Sequence, residues 1–318
     1  MALFLSEKDV EQLLTMPLAL AAVEGAHRDL SARQACDVPR QRTRLPQTTL
    51  HILQGALPHL DAIGYKAYTS NRSGVRFLVH LYHASTGSLR AVIEADRLGM
   101  MRTGAASGIA TRWLARDDAT VAGVFGAGWQ AEGHIEAIAA VRSLRRVKVY
   151  ARNAGRLAVF CKKMSERLGI EVVAAAPEEV VRGSDIVSTV TTSPTPLFNA
   201  DWLSPGTHIN AAGSNSLIRR ELGEDVVARC SPIVVDSIDA ALREAGDLLP
   251  SLEKGRLQAR QLIELGEVIC GSHAGRSTAD EITLFESQGM AVQDLAVAAH
   301  LEALARARGL GVQLPYGD

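Results

Sequence analysis

Ala119-Thr-Val-Ala-Gly-Val-Phe-Gly-Ala-Gly-Trp-Gln-Ala131 runs an apolar segment directly into the pattern G-x-G-x-x-A and then into a stretch of helical periodicity. Val121, Val124 and Phe125 read as a buried strand, and Ala131, Ile135 and Ile138 recur at helical spacing after it. In that context the glycines are a dinucleotide fingerprint. Gly126 permits the tight turn, Gly128 lets the backbone approach a pyrophosphate, and Ala131 keeps the helix close to the sheet. Trp129 and Gln130 open the helix, whose N-terminus favours phosphate.

The next apolar segment, Arg146 to Arg152, supplies the second half of that signal. An NAD-preferring site carries an Asp or Glu about 20 residues past the glycines to bond the ribose 2′-hydroxyl. Here Val147, Val149 and Tyr150 lead instead into Ala151-Arg152-Asn153, with Arg156 close behind. A carboxylate repels a 2′-phosphate and a guanidinium binds it bidentately, so the residue types favour NADPH over NADH. The lesser alternative for Arg152 is a solvated surface charge unrelated to the cofactor.

Around this stretch the pattern is that of an α/β protein. Apolar segments at Ile186 to Val190, Thr207 to Ala212 and Ile233 to Val235 alternate with helical ones, which predicts a doubly wound parallel sheet of the Rossmann type. Upstream, Ser6-Glu-Lys-Asp9 before Val10, Leu13 and Leu14 predicts a capped helix, and a second runs from Pro17 to Leu30. From Gln41 to Ala95 short apolar segments (Thr49 to Leu53, Ala62 to Thr69, Phe77 to Tyr82, Leu89 to Glu94) are broken by turns at Asn71-Arg-Ser-Gly74 and Ser85-Thr-Gly87. These predict antiparallel strands in an α+β domain over residues 1–115. The Rossmann domain is expected over 116–290, with a C-terminal helical segment, 291–318, rejoining the first domain.

Composition sets the remaining bounds. A chain of 318 residues is long enough for two domains, and a net charge of −1 without a basic block makes nucleic acid an unexpected partner. No apolar run approaches about 20 residues, so no membrane span is expected and the cytoplasm is the expected compartment. Cys36, Cys161, Cys230 and Cys270 stand far apart without a C-x-x-C pair, which predicts reduced, buried thiols rather than disulfides or zinc. His80 and His83, three apart on a strand, point to opposite faces, so no metal is expected there.

The residues together resemble the ornithine cyclodeaminase/mu-crystallin family over nearly the whole length. The resemblance rests on Gln41-Arg-Thr43, Gly64-Tyr-Lys66, Arg102-Thr-Gly-Ala-Ala106, Gly126 to Ala131, Ser184-Asp-Ile-Val187 with Thr191, and Pro205 to Gly213. Val235-Asp236, Glu244-Ala-Gly-Asp247 and Glu281 to Ser287 continue it. It implies a homodimer paired through the N-terminal half, an NAD(P)-binding Rossmann domain, and hydride transfer at an imine carbon beside a carboxylate. It also places a catalytic lysine at Lys66. Arg42 and Arg102 suit the substrate carboxylate, because a guanidinium matches it through two parallel hydrogen bonds; Arg44 is the alternative to Arg42. Lys66, desolvated near two arginines, would have a lowered pKa suited to proton delivery.

The chain departs from the family pattern after Thr207 to Ala212. Ornithine cyclodeaminases carry an Asp there, where this chain has Gly213-Ser214-Asn215. An amide is no base near neutral pH, so cyclodeamination is disfavoured and reduction of a preformed ring imine remains. Ser214 is placed with the substrate residues and Asn215 at the catalytic position. The resemblance is strongest to members that reduce 1-pyrroline-2-carboxylate and 1-piperideine-2-carboxylate to proline and pipecolate. The alternatives are cyclodeaminase or alanine dehydrogenase activity on the same scaffold, or a non-enzymatic crystallin-like binder. Thr191 and Ser287 are expected at the cofactor, although Ser287 could equally be a cap. Asp236 could face ligand or cap the next helix, and Asp294 is read as structural.

Overall fold

The computed structural model describes residues 1–72 and 74–316. Strands are numbered along the chain: β1 Ala2–Leu5, β2 Cys36–Arg44, β3 Thr49–Leu57, β4 Ala62–Asn71, β5 Gly74–His83, β6 Leu89–Glu94, β7 Val121–Phe125 and β8 Arg146–Tyr150. They continue with β9 Glu171–Ala174, β10 Ile186–Thr189, β11 His208–Ala211, β12 Cys230–Val235, β13 Leu262–Glu264, β14 Ile282–Glu286 and β15 Val312–Leu314. The chain divides into two units, Met1–Arg102 with Met290–Asp318, and Thr103–Gly289.

The first unit is one sheet in the order β15-β1-β6-β5-β4-β3-β2, antiparallel except for the β1–β6 pair. On β4 the even positions Ala62, Gly64 and Lys66 are buried and Ile63 is exposed, the period of two that a sheet covered on one face imposes. The cover comes from helices Met16–Ser31 and Ala291–Arg308, which pack on each other, the latter lying across β3 and β4. A Cβ on Gly64 would stand 2.1 Å from His80 O and 3.2 Å from Leu295, so glycine there lets the helix lie close to the strand. Ser6 and Asp9 cap helix Glu7–Leu13 reciprocally, as the sequence predicts. β1, β2 and β15 are additional to the predicted strands of this unit; the C-terminal helix ends at Arg308 and β15 pairs with β1 beyond it, which corrects the expected helical segment 291–318. β1 reads in sequence as a brief apolar start, and β2 shows no apolar alternation because Arg40 to Arg44 alternates arginine with Gln41 and Thr43. Of the predicted turn at 71–74, Ser73 lies outside the described residues.

The second unit is the expected parallel sheet, ordered β13-β12-β14-β11-β10-β7-β8-β9. It is covered on both faces, so its central strands β10, β11 and β14 are buried at every position. Alternation along β7 sends Val124 to one core, with Ile135 and Val149, and Phe125 to the other, with Val187 and Ile209. Strand order reverses between β7 and β10, the switch point at which such sheets bind ligand. The boundary between units falls at Arg102/Thr103, inside helix Asp96–Leu114, where the sequence reading had 115/116. The later turns of that helix are tied into the second unit, where Asn210 donates to Thr111 Oγ1 at 2.9 Å and Arg276 to Leu114 O at 2.6 Å.

All four cysteines are free; Cys161 and Cys230 are buried, whereas Cys36 and Cys270 are exposed, correcting the expectation that all four are interior. No described helix is long and apolar enough to cross a membrane.

Candidate active site

The fingerprint residues stand where β7 ends. Gly126 has φ +118° and a Cβ there would meet Val190 O at 2.6 Å, so both backbone angle and space demand glycine. Gly128 is the N-cap of helix Trp129–Val141, and the space a Cβ would fill is open. Ala131 is fully buried against the sheet, Trp129 is exposed, and Gln130 Oε1 is a buried acceptor without a partner among the described residues. An open approach to a helix N-terminus, flanked by an orphaned acceptor, fits a dinucleotide pyrophosphate and its ribose. Thr191 follows the neighbouring strand β10, Ser214 and Asn215 follow β11, and Ser287 follows β14, so these residues share the carboxyl edge of the sheet.

At the end of β8, Arg152 and Arg156 are exposed, and neither meets a carboxylate among the described residues. Asn153 caps helix Ala154–Leu168, its Oδ1 accepting from Arg156 N at 2.9 Å. Ser214 donates to Ser216 O and Arg219 O at 3.3 Å, within its own loop, and Asn215 is exposed. Ser287 donates to Asp236 Oδ2 at 3.0 Å, which also accepts from Gln288 N and Gly289 N. Asp236 thus fastens the turn after β14, in addition to bonding Ser237 N at the start of the next helix.

In the first unit a second constellation forms under helix Ala291–Arg308. Lys66 on β4 is only 3% exposed, and its Nζ lies 3.0 Å from both carboxylate oxygens of Asp294, which is wholly buried. Arg102 Nε reaches Asp294 Oδ1 at 3.0 Å and its Nη1 reaches Gln293 Oε1 at 2.9 Å. Nη2 makes no hydrogen bond among the described residues, leaving a buried guanidinium edge for an anion. Gln293 Nε2 faces His27 Nε2 at 3.1 Å. Burial holds His27 down to about 4, so the ring is neutral; with Gln293 Oε1 occupied by Arg102, its amide donates and His27 Nε2 accepts.

Burial, then the Arg102 charge, pulls the Lys66 ammonium down to about 7, against the opposing pull of Asp294. The Arg40 charge adds to the depression. Arg42 pairs in register with His51, which stacks on Tyr68 at 4.3 Å, and Phe77 lies 5.2 Å from Lys66 Nζ. The structure therefore assembles Lys66 and Arg102, with Arg42 on the same sheet face. It adds Asp294, Gln293, His27 and Arg40, which the sequence reading had not placed at a site. The available signal was the polar pair Gln293-Asp294 inside the otherwise apolar run Ala291 to Ala299. Among the described residues no cluster of three His, Cys, Asp or Glu side chains could hold a metal.

Comparison with known proteins gives this arrangement a context. The model of the ornithine cyclodeaminase/mu-crystallin family matches residues 1–307. A Delta(1)-pyrroline-2-carboxylate reductase of Bacillus cereus is 35% identical, covering 99% of this chain and 100% of the relative. The structure of Thermococcus litoralis Delta(1)-pyrroline-2-carboxylate reductase in complex with NADH and L-proline superposes with a TM-score of 0.94 at 32% identity, covering 98% of this chain and 100% of that one. An archaeal alanine dehydrogenase dimer with bound NAD has a TM-score of 0.94 at 32% identity, covering 99% of each chain.

Proposed function

The chain belongs to the ornithine cyclodeaminase/mu-crystallin family, and from that premise we propose that it reduces cyclic α-imino acids with NAD(P)H. The substrates are 1-pyrroline-2-carboxylate or 1-piperideine-2-carboxylate, and the products L-proline or L-pipecolate. The observation that carries this reading is the buried Lys66–Asp294–Arg102 constellation. Bound dihydronicotinamide supplies the hydride. The residues of the chain hold the carboxylate and deliver the proton. Arg102 presents its free edge, and Arg42 a second guanidinium, to the carboxylate on the imine carbon, which fixes that carbon in place. The π pair of the C=N bond becomes the nitrogen lone pair, and a proton from the Lys66 ammonium completes the amine. With its pKa near 7, Lys66 is close to the optimum for a donor working at neutral pH.

Cyclodeamination asks for a base beside the substrate amine, and the loop after β11 offers Asn215 instead. The wild-type protein is therefore expected to oxidise NADPH with 1-pyrroline-2-carboxylate and to release no ammonia from L-ornithine in the same buffer. Ammonia release with proline formation from ornithine would overturn the assignment.

NADPH is the proposed cofactor of choice, because Arg152 and Arg156 stand unopposed by carboxylates among the described residues at the end of β8. Losing one charge-assisted contact costs about 1.5–3 kcal/mol. Arg152→Asp is accordingly expected to raise the KM for NADPH about tenfold or more and to lower that for NADH. A wild-type preference for NADH would sink the cofactor proposal.

A homodimer is proposed through the first unit's sheet. Its uncovered face exposes Leu50, Ile63 and Leu78, apolar side chains that a sheet with helices on one face only leaves in water. Sedimentation reading the 34.0 kDa mass of one chain would contradict it.

A further inference from the structure

We propose that Glu221 is a positioning residue, an ionised strut that ties the loop after β10 to the loop after β11 and so shapes the carboxyl edge of the sheet for the dinucleotide. Its Oε1 accepts from both the backbone N–H and the hydroxyl of Thr191, at 2.6 and 2.5 Å. Its Oε2 accepts from Gly213 N at 2.9 Å. Glu221 is itself fixed from behind, because Asp247 Oδ1 accepts from Glu221 N and Leu222 N at 2.5 and 2.9 Å. One carboxylate thereby joins Thr191, next to the switch point, to the Gly213-Ser214-Asn215 loop. The sequence is built around it: a Cβ on Gly213 would stand 2.3 Å from Glu221 Oε2 and 2.5 Å from Thr191 N, so only glycine admits the strut.

Three donors converge on two oxygens, and only the carboxylate form accepts from all three at once. A protonated carboxyl turns one oxygen into a donor that faces an N–H, and the tie between the loops is weakened. The environment makes that protonation accessible. Glu221 is wholly buried and faces Asp247, with Glu286 at the end of β14 and Asp236 at the end of β12 in the same acidic interior. Arg220 acts on Asp247. Burial and the Asp247 charge push Glu221 up to about 7, and burial lifts Asp247 to about 6. Glu286, buried among these acids with Oε2 unpartnered among the described residues, is pushed well above the usual carboxylate range by burial and the neighbouring carboxylates.

The strut rests on the dinucleotide reading of this edge, so its test measures binding, without substrate or turnover. NADH, which has no 2′-phosphate to titrate, is bound to the full-length protein at pH 6 to 8.5 and followed by its fluorescence. The dissociation constant is expected to rise about tenfold as pH falls through 7, the size expected for losing one or two hydrogen bonds that hold the loops. Glu221→Gln keeps one acceptor and sets an amide donor against an N–H. It is expected to bind about tenfold more weakly at pH 8, with the pH dependence flattened. A flat wild-type profile overturns the proposal, and that result needs no variant to fold. A Glu221→Gln protein that keeps the wild-type affinity or the full pH dependence overturns it as well. Absence of NADH binding at every pH would instead overturn the dinucleotide reading.

Discussion

Lys66→Met is expected to lower kcat for ring-imine reduction by about 10²–10⁴, the usual contribution of a positioned proton donor. Dinucleotide binding should stay within a few-fold of wild type. Methionine keeps the unbranched stem beside Phe77 and removes only the ammonium that Asp294 holds at 3.0 Å. Asp294 retains its bond from Arg102 Nε, so no orphaned buried carboxylate results and the variant should fold. Steady-state rates with 1-pyrroline-2-carboxylate settle the matter, and a kcat within tenfold of wild type would give the proton to another group.

The same group predicts the pH profile. Reduction needs Lys66 charged, so kcat/KM in that direction should fall as pH rises through about 7, and amine oxidation should rise there; Lys66→Met should erase this limb. The stability effect has a definite sign. The folded-state pKa lies below the unfolded value, so between about 7 and 10.5 the unfolded chain binds more protons. Stability therefore gains with rising pH across that window, and the gain should be absent from the methionine variant.

The fingerprint at Gly126 to Ala131 is legible in sequence because everything that makes it lies within one strand, one turn and one helix. The parallel sheet is legible only in part: β10 and β12 carry local apolar residues, whereas β11 buries His208 and Asn210 beside Ile209 and Ala211, and β14, buried at every position, is not among the predicted strands. Lys66 is different. Nothing local separates it from a solvated strand lysine, and its partner Asp294 is 228 residues away, so only the family resemblance singles it out. Asp294 could be seen as a carboxylate on a helix, but not what it faces. The arginine patch is harder still. A bulge between Val38 and Gln41 shifts the register, so Asp37, opposite Gly55, and Arg42, opposite His51, lie on the same sheet face despite their odd and even numbers. Asp37 there accepts from Val292 N at the start of the helix that carries Asp294. A period-two reading of β2 would have separated the arginines from the helix they accompany. Glu221 escapes notice because most of its partners are backbone N–H groups, which leave no trace in side-chain identity.

Asp294→Asn should damage both stability and catalysis, and the two effects can be separated. The amide keeps the shape of the carboxylate and one acceptor, but removes the one carboxylate that, among the described residues, pairs with both Lys66 and Arg102. Breaking a buried pair by removing one partner costs about 3–5 kcal/mol, because the remaining charge is left uncompensated in a dry interior. For a chain of this size a loss in that range lowers Tm by on the order of 10 °C. The two buried cations would then repel without an anion between them, and burial would act on Lys66 unopposed. Its pKa should fall below the wild-type value of about 7, so the reductive limb of kcat/KM should move to lower pH. The loss at pH 8 is expected to be at least tenfold, with partial recovery toward pH 6. Loss of folded protein alone would scale the whole profile down without moving its midpoint. A midpoint unchanged from wild type would show that Asp294 merely packs the helix against β4 and does not set the charge of Lys66.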